Sequence, residues 1–144
     1  MPSKSESPVF VLRNTTPEGT TDAYNLAVMD TRSKKVIGVM TANLQYEHPE
    51  IVEVEAHSHA ITWTIEALDE FIKLYNRTVR EELYILGLEW GMAKGATKVN
   101  SQGLDFNDQK LFFAGVDRGW FSIDGDIKVL PMDSKIPFEA KKKP

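Results

Sequence analysis

The chain has 144 residues, enough for one domain with a substantial core. It contains no cysteine, which excludes disulfides, thiolate catalysis and cysteine-bound zinc. A net charge of −4 argues against global attraction to nucleic acid or anionic membrane, and no stretch nears the ~18 apolar residues of a spanning helix.

Residues 1–8 are polar, lack the apolar stretch of a signal peptide, and read as a flexible arm. Val9 to Leu12 is a short apolar run suited to a strand, and the Pro- and Gly-containing stretch from Asn14 to Thr21 reads as a loop. Tyr24 to Asp30 and Lys35 to Leu44 alternate around a polar turn and predict a hairpin. Pro49 removes a ladder donor and ends that pair. Ile51 to Ile61 is the next strand, so the first sixty residues read as a β-meander.

A helix of about thirty residues follows, from Thr64 to Gly95, with apolar residues at steps of three and four from Ile65 to Ala93. Asn76-Arg77-Thr78 marks the one point at which it could break. Gly87, Gly91 and Gly95 share one face of it, and each interior glycine costs about 1 kcal/mol relative to alanine. Close approach of a sheet or a second subunit is the expected compensation. Thr97 to Ser101 is a short strand, and Asn107 to Gly115 a short helix with Leu111 and Phe112 inward. Trp120 to Met132 forms a hairpin around Asp124-Gly125. The tail, 133–144, packs through Ile136 and Phe138 and carries the run Lys141-Lys142-Lys143, read as a solvated end. Residues 9–132 thus form a single α+β domain: a mostly antiparallel sheet of six to seven strands with one long central helix and one short helix.

This order of elements resembles the GNAT N-acetyltransferase family over roughly residues 9–132. Three places carry the likeness. Lys34-Lys35-Val36-Ile37-Gly38 resembles the family's hairpin with a glycine in its third strand. Leu86 to Val99 resembles the end of its central helix entering the next strand. Asn107 to Trp120 is similar to its Asn, aromatic and Gly-aromatic ending. The family holds the pyrophosphate of acyl coenzyme A on a glycine-containing loop at the start of the central helix. The matching segment, His59 to Ile65, has neither glycine nor arginine, and Trp63 with β-branched neighbours would crowd a phosphate. The family's frequent tyrosine on the short helix is missing, and Phe112 and Phe113 stand nearby.

The resemblance therefore implies a catalytically reduced acetyltransferase-like domain that binds no cofactor and works through protein contacts or self-association. Reduced domains of this kind resemble internal virion proteins of tailed phages, so the expected location is the cytoplasm or a virion. The alternative is an active N-acyltransferase using acetyl-CoA, with Glu53 or Glu55 as general base.

Period-2 alternation places Glu53, Glu55, His57 and His59 on one strand face, with Val52, Val54 and Ala56 on the other. The two carboxylates read either as a base near an amine or as the polar face of a sheet. His57 and His59 read either as metal ligands completed by a glutamate or as surface histidines. Asp105, Asn107 and Asp108 read either as part of a calcium loop or as a helix N-cap cluster. Trp63, Gly87 and Gly91 are the candidate interaction residues.

Overall fold

The computed structural model describes residues 9–58, 65–131, 134 and 136–139. Four strands open the chain: β1 (Phe10–Asn14), β2 (Ala23–Asp30), β3 (Lys35–Leu44) and β4 (Ile51–Ser58). They pair in sequence order and antiparallel, as the short connections between them favour. Helices α1 (Ile65–Tyr75) and α2 (Val79–Ala93) lead to the two-residue strand β5 (Lys98–Val99), and α3 (Phe106–Asp117) follows. β5 pairs with β4 in parallel. The sheet is thus mixed and five-stranded, not an antiparallel sheet of six to seven.

The expected hairpin after Gly119 is present only as isolated bridges, Phe121 to Ile127 and Lys98 to Asp126. The Val99 N–H donates to the Gly125 carbonyl at 2.8 Å and the Ile127 N–H to the Thr97 carbonyl at 2.9 Å, so this turn covers the outer edge of β5.

The long helix is two helices. Asn76 takes a left-handed conformation, φ 57°, which its short polar side chain tolerates better than most. Thr78 then restarts the helix with a capping box: its hydroxyl accepts from the Glu81 N–H at 3.0 Å, and the Glu81 carboxylate accepts from the Thr78 N–H at 2.9 Å. α2 closes on a Schellman turn. Gly95 adopts φ 103°, its N–H donates to the Met92 carbonyl, and the Ala96 N–H donates to the Gly91 carbonyl.

One sheet face carries Leu12, Leu26, Val28, Met40, Ala42, Val52, Val54 and Ala56, all buried in the core with residues of α1 and α2. α1 anchors through Phe71, whose ring meets Phe10 edge-on at 5.3 Å. α2 lies on β3 and β4 through its glycines. A Cβ on Gly87 would sit 2.7 Å from Val54 Cγ1, and one on Gly91 would sit 2.5 Å from Val52 Cγ2. The backbone of α2 therefore approaches the sheet at a distance only glycine permits. Among the two compensations expected for these glycines, it is the sheet that comes close. In the first turn of α2, Glu82 is buried and bonded at 2.7 Å to Arg77 of the connection from α1.

α3 packs by Leu111 and Phe112; the Phe112 ring stacks on Phe121 at 5.6 Å, and Phe121 in turn meets Tyr84 of α2. At the other edge, residues 136–139 lie along β1. The Leu12 N–H donates to the Pro137 carbonyl at 2.8 Å, the Glu139 N–H to the Leu12 carbonyl at 2.9 Å, and Arg13 holds both Glu139 oxygens. Ile136 is buried there, while Phe138 is half exposed.

Candidate functional site

β5 pairs with β4 only at Ile51 and Val52. The last bond is from the Asn100 N–H to the Val52 carbonyl, 2.9 Å. Beyond it the chain leaves through Gln102 and Leu104 towards α3, while β4 continues to Ser58. A cleft of about 360 Å³ opens where the two part. That is near the lower end of the ~300–1,000 Å³ usual for small-ligand sites.

Four carboxylates line it: Glu53 and Glu55 from β4, Asp105 and Asp108 from the start of α3. Thr41, Asn43, Asn100 and Gln102 add neutral polar groups, with Tyr84 and Val54 beside them; among the described residues no lysine, arginine or histidine is in the lining. Each part has a local cause. Strand alternation turns Glu53 and Glu55 away from α2, opposite Asn43 and Thr41 in the β3 register. Asp105 is the N-cap of α3, its Oδ1 accepting from the Asp108 N–H at 2.8 Å. The positive end of the α3 dipole steadies both aspartates.

The two glutamates differ. Glu53 is held at both oxygens: Asn43 Nδ2 donates to Oε1 at 3.2 Å and Gln45 Nε2 to Oε2 at 3.0 Å. Glu55 is exposed beside the cleft. Asp108 is only 5% exposed, and its Oδ1 has no hydrogen-bond partner among the described residues. Burial raises its pKa above the ordinary carboxylate value, and the charges of Asp105 and Glu55 raise it further; His57 and Arg80 oppose this. Tyr84 is buried too, and burial with the Asp108 charge raises its pKa, so its hydroxyl stays protonated. An unpartnered buried carboxylate oxygen beside three further acids costs stability.

Of the candidates read from sequence, Glu53, Glu55 and His57 do share one face, His57 opposite Val39 and exposed. His59 and Trp63 lie outside the described residues. Among the described residues no set of three or more His, Asp or Glu side chains is arranged to hold a metal ion. Gly87 and Gly91 face Val52, Val54 and Met40 within the domain. The cleft brings Asp105 and Asp108 to the glutamates, a meeting that a helix-cap reading does not contain. One signal was available: Asp108 lies on the same helical stripe as Leu111, Phe112 and Gly115, an acid where an apolar residue is expected. Tyr84, Asn100 and Gln102 carry no such mark. Compared with known proteins, the chain matches no family model, no curated protein and no solved structure.

Proposed function

We propose that this chain is a non-catalytic binding domain on an acetyltransferase-like scaffold, working through protein contacts, and that the acidic cleft accepts a positively charged side chain of a partner. The observation that carries the reading is the buried Asp108 oxygen, unpartnered among the described residues, in a cleft whose described lining has four carboxylates and no basic residue, with His57 and Arg80 acting on Asp108 from outside that lining. A lysine ammonium or arginine guanidinium would supply the missing donor and relieve the repulsion among the acids. The overall charge of −4 would favour encounter with such a partner. An active acyltransferase is the second reading, and exposed Glu55 at the cleft is what favours it as a base over the doubly held Glu53.

One titration separates the two. N-acetyl-lysine methylamide, N-acetyl-arginine methylamide and acetyl-CoA are each followed by thermal shift and by amide NMR. A ligand at 100 times its Kd stabilises by about 2.7 kcal/mol. The blocked cationic amino acids are expected to bind with salt-sensitive affinity, weakened in Glu55→Gln and Asp108→Asn. Acetyl-CoA at millimolar concentration is expected to leave Tm unchanged. A Tm that climbs with acetyl-CoA concentration, with no response to the cations, would overturn the proposal in favour of the enzyme.

A further inference from the structure

We infer that the partner presents its cation from an extended segment that adds as a strand to the part of β4 that β5 leaves uncovered. This rests on the cationic reading of the cleft and specifies the chemistry of its occupant. The register decides which main-chain groups are free. The Gln45 N–H donates to the Ile51 carbonyl, so the odd-numbered residues of β4 turn their main-chain groups to β3. The even-numbered residues turn theirs the other way. The Lys98 N–H donates to the Glu50 carbonyl and the Asn100 N–H to the Val52 carbonyl. The next groups in that row are the N–H and C=O of Val54. Val54 lines the cleft and is 6% exposed, yet among the described residues its main chain on that side takes no hydrogen bond.

Main-chain groups left unpaired along a strand edge are open to a further strand. An exposed strand edge is also the usual docking line for an extended peptide, whose backbone gives affinity and whose alternating side chains give specificity. The two demands coincide here. A chain bonded to Val54 would place alternate side chains on the face that carries Glu53 and Glu55, with Asp105 and Asp108 across the cleft. A lysine or arginine at such a position would be surrounded by carboxylate. An occupant of this kind needs a backbone and a cation together; a free amine supplies only the second.

The test uses the whole protein, isotope-labelled, and an end-blocked pentapeptide alternating valine and lysine. A second peptide carries N-methyl groups on alternate amides, which removes strand donors and keeps both charges. The expected result is binding of the first peptide with slowed exchange of the Val54 amide, at least tenfold weaker binding of the N-methylated peptide, and loss of affinity in Glu55→Gln. Equal binding of the two peptides with unchanged Val54 exchange would overturn strand addition and leave the cationic cleft standing. So would binding of N-acetyl-lysine methylamide with none of the pentapeptide. Failure of every cationic probe would remove both readings.

Discussion

Replacing Gly91 by alanine is a sharp test of how α2 meets the sheet. On an exposed helix the change would be favourable by about 1 kcal/mol. Here the new Cβ would lie 2.5 Å from Val52 Cγ2, 2.6 Å from its Cβ and 3.0 Å from Cγ1, against an ordinary carbon contact of roughly 3.5–4.0 Å. Val52 cannot step aside: it is fully buried, β-branched, and its carbonyl is bonded to Asn100. Overpacking costs about 1–3 kcal/mol; contacts this short belong to the upper half of that range, and subtracting the ~1 kcal/mol helix gain leaves a net loss of about 1–2 kcal/mol. For a chain of this size that corresponds to a fall in Tm of roughly 3–10 °C. Urea unfolding followed by circular dichroism, with m unchanged, gives the value. Val52→Ala removes two of the three offending carbons. In that background the same substitution should cost at least about 1 kcal/mol less, a coupling that a double-mutant cycle reads directly. A Gly91→Ala protein more stable than its parent, or a coupling near zero, would refute this account of the α2–β4 contact.

Asp108→Asn should raise Tm at pH 7, because it removes a charge that burial and its neighbours disfavour. The raised folded-state pKa means that the aspartate's relative stability is full below the ordinary value of about 4 and is lost as pH rises through the folded value. The gap between variant and parent should therefore close on acidification; a gap independent of pH between 3.5 and 7 would contradict it. Arg77→Met strands buried Glu82, whose Oε2 already lacks a partner, and should cost about 3–5 kcal/mol by chemical denaturation. Thr78→Ala removes half of the capping box and should cost about 1 kcal/mol in the same assay. Arg13→Ala breaks a pair that is more than one-third exposed on both sides, so a change within about 1 kcal/mol is expected.

The strand meander was legible from short apolar runs separated by turn-forming stretches, with clean alternation in β4, and the predicted span of β3 from Lys35 to Leu44 is the observed one. The apolar second half of the long helix was legible too, with Leu83, Ile85 and Leu88 fully buried. The break at Asn76 was marked, but periodicity runs straight across it. What stops the helix is one left-handed residue and a capping box, a local event that an apolar repeat does not register. The two-residue length of β5 was out of reach, since it depends on where Asn100 turns away from β4. The cleft was half legible. Alternation alone placed Glu53 and Glu55 on a common face, whereas Asp105 and Asp108 join them only through the path of the chain from β5 to α3.

The clasp of residues 136–139 on β1 has a consequence for how the chain is made. Arg13 and Glu139 are separated by 126 residues, so this contact cannot form until residue 139 has left the ribosome. At 5–20 residues per second, roughly 6–25 s pass between synthesis of β1 and arrival of the segment that covers it. The meander needs only neighbouring contacts and can form early in that interval. During it, the outer edge of β1 offers the Leu12 N–H and carbonyl to any strand nearby, including β1 of another nascent copy on the same message. Chaperone demand and misassembly of this protein should therefore depend on translation speed through residues 15–139.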